Sequence, residues 1–456
     1  MMRTIGTVTT KLLLAHGIIS DRRIMMKAYT LSLIALALTS SLAQAATADL
    51  VLDKVVTLNR HGIRPQMDTA KIQAMSPETF PHFQGKDGEL TMHGYAAVTR
   101  MGDYLRDYLQ QRQFLKKDSC LNADDIFVRT SAKQRTRMTA YALIDTLFPG
   151  CGVKVSSPAS KKDTLFKPID NGVAPLDVAR ASNSVLQKMG GSLEAAKQRY
   201  AGDIAAMQKI VDPNCKGDQC TYSSGEWSIK NLKDRNIELE GPLFWGNELG
   251  ETFRLQYAEG LPLEQVAFGH VKNTDDLTRL NKLHQIKFDL ILHDPYIAAR
   301  AGSQLLSQIL YTLEKGSGFH DPNASPEIAA SAPDARMVMY FGHDSNLTPL
   351  QTLLNVSWHL KGYPKDDTPP GSTLMFERYR DSKTHQTYIG LTFMTQSLDQ
   401  MRRLEPLNVK NPPLQQKLNL HCKNSPDGWL CPIDEFAAQI NSRLDKTAMI
   451  AQNYAE

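Results

Sequence analysis

The stretch VVTLNRHGIRPQ, residues 55–66, sets a histidine between two arginines directly after an apolar, β-branched run. An imidazole at such a strand end can act as a metal ligand, a general base or a nucleophile, and its neighbours decide among these. Arg60 and Arg64 carry planar forks of donors that suit phosphate oxygens and are poor company for a metal cation. In that setting a neutral His61 can attack phosphorus and split hydrolysis into two displacements through a phosphohistidine. Gly62 is expected to let the backbone come close to the anion, and Pro65 to stiffen the exit from the turn.

Two further stretches carry matching chemistry. Gly342-His343-Asp344 follows the apolar run RMVMYF, and Arg135 lies just beyond DIFVRT. Arginines around a transferring phosphoryl group spread its charge. The leaving alkoxide still needs a proton, and Asp344 is the natural donor, provided that the neighbouring anion keeps its carboxyl group protonated. Singly, each feature is ordinary: a His-Asp pair after a strand is commonly a helix cap, and Arg129 or Arg135 alone reads as surface charge. Their joint occurrence at strand ends and helix starts points to one site.

The elements that must hold these residues are βα units. KVVTL (54–58), DIFVRT (125–130) and RMVMYF (336–341) are short apolar or β-branched runs, each followed by turn formers and helical signals. Thr91 can cap a helix over MHGYAAVTRMGDYLRDYL, with Tyr95, Val98, Met101, Leu105 and Tyr108 on one face. Ser131 is the expected cap of the helix that carries Arg135. In an open α/β sheet the ligand crevice lies beyond the carboxyl ends of the strands, so three charged strand ends can converge there. Residues 156–300 have a different texture, helical at 185–211 and 249–260, and are expected to form a mainly helical domain inserted into an α/β domain made of 46–155 and 301–456. GSTLMFERYR and QTYIGLTFM read as a hairpin that returns to the sheet.

The 456 residues and 42% hydrophobic content describe an ordinary globular chain. Residues 1–45 read as a targeting leader: Arg22, Arg23 and Lys27 precede an apolar stretch from Ala28 to Leu42, and Ala43-Gln44-Ala45 is a small-x-small cleavage pattern. That stretch is short for a membrane span of roughly 20 residues, so a secretory signal is expected, with twin-arginine export the alternative route. The leader holds five Lys or Arg and one Asp, which equals the net +4 of the whole chain. The remainder is near neutral and has no basic block, which argues against a nucleic-acid partner. Export to the periplasm without stable membrane association after cleavage is the expectation. Six cysteines, all after the leader, favour disulfides in an exported chain. Fifteen pairings are possible; proximity favours Cys120 with Cys151, Cys215 with Cys220, and Cys422 with Cys431. A zinc site is the competing reading, but no CxxC pair or nearby His cluster has metal spacing.

Arg60-His61-Gly62-Ile63-Arg64-Pro65, followed far along the chain by Gly342-His343-Asp344, resembles the histidine acid phosphatase family, in particular its bacterial periplasmic glucose-1-phosphatase and phytase members. Further matching stretches are GELTMHGY (88–95), QRTRMTA (134–140), FPGCGV (148–153), the run 241–269, and DDTPPGSTLMFER (366–378). The resemblance implies that His61 is the phosphorylated nucleophile, that Arg60, Arg64, Arg135 and His343 clamp the phosphate, and that Asp344 is the proton donor. It also implies a phosphoglycerate-mutase-like α/β sandwich with an inserted helical domain, no metal or other cofactor, and the three neighbour disulfides. The chain departs from the common RHGxRxP pattern, with Gln66 at the family proline and Pro65 one place earlier.

Many phytase members carry a lysine where this chain has Asp68. A substrate with many phosphates asks for several cations around the nucleophile, so a small phosphate monoester such as glucose 1-phosphate is expected in preference to phytate, with Asp68 and Glu251 as candidate pocket residues. Two rivals remain at this level. One is the phosphoglycerate-mutase branch, against which export and the large insertion argue. The other is a periplasmic sugar-phosphate binding protein that uses arginines and helix N-termini without a nucleophile.

Overall fold

A computed structural model describes residues 50–159 and 162–455. The expected leader lies outside the described residues. The contacts of the described chain group Leu50 to the C-terminus into one compact unit.

Its centre is a seven-stranded sheet in the order β2-β5-β1-β6-β7-β8, with β9 paired to β7. The strands are β1 (Leu50–Arg60), β2 (Ile126–Thr130), β5 (Met337–Gly342), β6 (Thr373–Asp381), β7 (Thr387–Thr395), β8 (Leu414–Leu418) and β9 (Cys431–Pro432). β1 and β2 both run parallel to β5, whereas β6, β7, β8 and β9 are antiparallel to their neighbours. β5, between β2 and β1, is buried along its whole length, which is why its run is continuously apolar rather than alternating with polar residues. Along β5, Met337, Met339 and Phe341 pack into one cluster and Val338 and Tyr340 into the other.

The first cluster is closed by two helices, α2 (Met92–Gln111) and α3 (Gln134–Leu147). Thr91 caps α2 as expected, its hydroxyl accepting from Gly94 N at 2.8 Å. Val98, Met101, Leu105 and Tyr108 are buried, and Tyr95 is half-buried. On the opposite face lie α9 (Pro295–Glu314) and α10 (Asp344–Leu354). The hairpin expected near the C-terminus is β6–β7.

Residues 156–300 hold α4 (Val178–Lys188), α5 (Leu193–Val211), α6 (Pro242–Ala258), α7 (Thr274–Leu280) and α8 (Lys282–Ile291). They also hold a two-stranded hairpin that the sequence pattern did not suggest, β3 (Ser228–Leu232) with β4 (Asn236–Glu240). The helical pattern at 185–211 is two helices, because Gly190 and Gly191 adopt φ of +102° and +93° and break it. Asp294 and Pro295 start α9, which therefore runs across the boundary expected at 300/301. Ile204, Leu249, Val56 and Leu310 share one core cluster, so apolar packing is continuous between this region and the sheet.

Cys120–Cys151, Cys215–Cys220 and Cys422–Cys431 are disulfide-bonded, the pairing that proximity favoured. Among the described residues no helix is long and apolar enough to cross a membrane.

Candidate active site

Strand register brings the charged ends together. Arg60 is paired with Gly342, and Thr130 with Phe341, so β1, β5 and β2 finish side by side and release His61, His343 and Ser131 at one edge. The His61 and His343 ring centroids are 5.5 Å apart. His61 N donates to Gly342 O (3.1 Å), and Gly371 N, from the DDTPPGS loop, donates to His61 O (2.9 Å).

Gly62 has a different reason from the one expected. A Cβ there would meet Leu90 and Val98 at 2.9 Å, on the α2 side. Gly94 of α2 in turn leaves no room for a side chain, since its Cβ would come within 3.0 Å of Ile63 N. Both glycines let α2 press against the backbone of the RHG segment. The requirement is packing behind the loop, not access of an anion to Gly62.

The imidazole of His61 is 2% exposed, and its Nδ1 lies 2.9 Å from Gly62 O. A carbonyl only accepts, so Nδ1 carries the proton and Nε2 keeps its lone pair. Burial, then Arg135, Arg60, Arg64 and His343, push the pKa well below the usual imidazole value. The ring is therefore neutral at neutral pH, and Nε2 is the nitrogen with a free lone pair.

The expected clamp residues surround it. Arg60 is fully buried; its Nη1 donates to Thr368 O (2.6 Å) and its Nη2 to Glu251 Oε1 (2.5 Å), and Nη2 is 2.7 Å from Asp344 Oδ2. Arg64 lines the cavity and donates from Nη1 to Pro65 O (2.9 Å). Arg135, in the first turn of α3, donates to Gly88 O (3.2 Å) and reaches His343 Nδ1 at 3.5 Å. Burial and the repulsion of Arg64 and Arg60 outweigh the pull of Asp344 and bring its pKa down to about 10, so it stays cationic below that pH. Burial and Arg135 likewise hold His343 well below the usual imidazole value against the pull of Asp344.

Ser131 was expected to cap α3. The cap position is Lys133, and the Ser131 hydroxyl lies 3.0 Å from His343 Nε2 and 3.1 Å from Thr136 Oγ1. It contacts His343 instead of a helix end.

The two candidate pocket residues part company. Glu251 lines the cavity but has both oxygens committed: Oε1 to Arg60, and Oε2 to Arg254, whose Nε is 3.0 Å away. Arg254 donates on to Asp367 Oδ2 (2.6 Å), which completes a buried chain Arg60–Glu251–Arg254–Asp367. Burial raises the Glu251 carboxyl, but Arg254 and Arg60 overcome it and hold the group well below the carboxylate range. Asp68 does not line the cavity. It caps α1 (Thr69–Gln73), accepting from Lys71 N at 3.1 Å, and pairs with Lys71 Nζ at 3.1 Å. Met67, one residue earlier, is the one that faces the cavity.

The cavity has a volume of about 370 Å³. From the clamp it extends past Phe166 and Lys167 to Asn236 and Glu238 of β4, and past Asn247 and Glu248 of α6 to His284 and Lys287 of α8. None of these was singled out from the sequence, although Asn247, Glu248, Glu251 and Arg254 stand at helical spacing in a stretch whose polar residues coincide with a helix buried almost throughout. Among the described residues no group of three or more His, Cys, Asp or Glu is arranged to hold a metal ion.

A nucleophilic imidazole, guanidinium donors and a carboxyl group gathered beyond the ends of parallel strands make a site for phosphoryl transfer. Residues 51–394 match the model of the histidine phosphatase superfamily (branch 2), and the chain belongs to that family. It is a histidine acid phosphatase, a phosphoric monoester hydrolase. It is 29% identical to phytase AppA of Escherichia coli (strain K12), over 90% of this chain and 95% of that one. To a glucose-1-phosphatase of Providencia rettgeri it is 28% identical, over 88% and 93%. Among solved structures, the phytase of Klebsiella sp ASR1 superimposes with a TM-score of 0.78 at 33% identity, covering 89% of this chain and 98% of that one.

Proposed function

We propose that this phosphatase acts on sugar phosphates through a phosphohistidine at His61. His61 Nε2 attacks phosphorus while the bond to the leaving oxygen breaks, and Asp344 gives that oxygen its proton. Water then attacks the phosphohistidine, Asp344 takes a proton back, and the N–P bond breaks to release phosphate and the free imidazole. Arg60, Arg64, Arg135 and His343 hold the phosphoryl oxygens through both displacements. The observation that carries this reading is the His61 Nδ1 contact with Gly62 O, which leaves Nε2 unprotonated on a ring that lines the cavity with Arg64 and Arg135.

The preference for a sugar ester rests on charge beyond the clamp. Lys167 and Lys287 are cations of the cavity wall, and each has an acid near it: Asp170 lies 3.8 Å from Lys167, and Glu248, whose carboxyl burial raises above its usual value, is close enough to Lys287 to be pulled part of the way back. Glu238 adds a further acid. A second or third phosphate would meet carboxylates there at close range, whereas hydroxyl groups would find acceptors. The phytase reading is favoured by the likeness to the Klebsiella and Escherichia coli phytases. The leader pattern and three disulfides support export to the periplasm, and the division into an α/β domain and an inserted helical domain is kept as our reading of 46–155 with 301–456 and of 156–300.

Rapid quench with labelled ester, under conditions where breakdown of the intermediate limits turnover, should trap acid-labile, base-stable phosphate on His61, and His61→Ala should abolish turnover. Absence of trapped phosphate under those conditions excludes the covalent route. On purified enzyme, kcat/KM should be higher for glucose 1-phosphate than for inositol hexakisphosphate. A tenfold or greater preference for the latter, roughly 1.4 kcal/mol in transition-state binding, would replace the sugar-phosphate reading with the phytase one.

A further inference from the structure

One buried group of the cavity wall has no part in the chemistry above. His284 of α8 is 3% exposed and lines the same space as His61 and Asp344. Neither Nδ1 nor Nε2 has a hydrogen-bond partner among the described residues. A buried polar group left without a partner costs about 1–3 kcal/mol, and such groups are rare enough in native proteins to need a reason. Packing does not supply one: the ring lies against Phe288 with centroids 4.4 Å apart, a contact that a phenyl ring would make without the penalty. Burial and the nearby Arg254 push the pKa of His284 down to about 4, so the ring is neutral above that pH. A neutral imidazole presents one N–H donor and one lone pair.

We infer that His284 is a specificity residue, which hydrogen-bonds a hydroxyl group of the substrate's organic half beside the bond being broken. This rests on the phosphatase reading above and deepens it by naming the class of leaving group, a polyol or sugar. The match follows from donors and acceptors. A hydroxyl group both donates and accepts, so it can satisfy either ring nitrogen. A phosphate oxygen only accepts, so it can take the ring's N–H but leaves the ring's lone pair without a donor. An aryl leaving group carries no hydroxyl, and the para-nitro group of the probe supplies only weak acceptors and no donor. His284 and Asp344 line one cavity, within electrostatic reach of each other.

The test is kcat/KM of wild type, His284→Phe and His284→Asn on glucose 1-phosphate and on para-nitrophenyl phosphate, with the thermal midpoint of each protein. His284→Phe should lower activity on the sugar ester by tenfold or more, leave the aryl ester within about threefold, and not lower the midpoint, because a site built to bond a hydroxyl loses its discrimination with that bond. His284→Asn keeps a donor and an acceptor and should recover part of the sugar-ester activity. Equal losses on both esters, or no loss on either, overturn the inference. If His284→Phe is destabilised, His284→Asn decides: a sugar-to-aryl ratio as low as that of His284→Phe also overturns it. The wild-type ratio of glucose 1-phosphate to inositol hexakisphosphate, measured in the same series, tests the substrate reading separately, since that ratio does not depend on any His284 variant.

Discussion

Asp344→Asn tests whether proton donation is coupled to phosphate binding. In the protein alone, burial raises the Asp344 carboxyl, but Arg60, 2.7 Å away, with His284 and His343, brings it down to about 2. At pH 5 a group with that pKa is protonated in about one molecule in a thousand, too few for an acid catalyst. A phosphate dianion held by the same guanidinium reverses the balance, because it draws on the Arg60 donors and sets like charge beside the carboxylate. Two unit charges about 4 Å apart at an effective dielectric constant of about 20 interact by roughly 4 kcal/mol. That is enough to move the pKa from about 2 to about 5 in the complex. The signs differ in the two states. In the free protein the depressed pKa means that the Asp344 carboxylate stabilises the fold above the usual carboxyl range and loses that contribution as pH falls through about 2. In the complex the acid form is required, so kcat should fall as pH rises through about 5. Steady-state phosphate release across the acid and neutral range measures this on glucose 1-phosphate and on para-nitrophenyl phosphate. Asp344→Asn should lose about 10²–10⁴-fold on the sugar ester, far less on the activated aryl ester, and should lose the fall in kcat with rising pH. Equal losses on the two esters, or an unchanged pH profile in the variant, would refute the coupling.

Glu251→Ala leaves Arg60 and Arg254 buried without their shared counter-charge and should cost about 3–5 kcal/mol, read as a lower urea midpoint. Because the Glu251 carboxyl is held below its usual range, its contribution is lost only as pH falls through that depressed value, and the gap between the two proteins should narrow there. A midpoint equal to wild type would remove the buried ion chain from the account of stability. Met67 faces the cavity and Asp68 does not, so Met67→Lys should shift kcat/KM toward inositol hexakisphosphate, whereas Asp68→Lys should leave the substrate ratio within about twofold. The reverse order would show that the loop reorganises around substrate. Free-thiol titration of the denatured protein should find none of the six cysteines reactive, and loss of Cys120–Cys151, which closes a longer loop than Cys215–Cys220, should be the more costly, at roughly 3–4 kcal/mol.

What could be read from the sequence is what depends on neighbours along the chain. The apolar runs that became β1, β2 and β5, the Thr91 cap, and the arrival of His61, Arg135 and His343 just beyond strand ends follow from local periodicity and turn chemistry. Parallel strands place their carboxyl ends together, so convergence of those residues needed no further information. Proximity also favoured the three disulfides. What the sequence could not decide is which way a side chain turns once the chain is packed. Asp68 and Met67 are adjacent, yet one caps a helix and the other faces the cavity. Ser131 stands where a helix cap would, but the register of β2 against β5 sets its hydroxyl against His343. Glu251 was expected in the pocket, but that it spends both oxygens on Arg60 and Arg254, and that Arg254 goes on to Asp367, appears only when β1 and the loop before β6 come to either side of the helix. His284 could only be recognised in three dimensions, because a histidine in an amphipathic helix has the same spacing whether its nitrogens meet water, a partner or a cavity. Burial and partnership are properties of contacts between segments far apart in the chain, and those contacts exist only in the folded molecule.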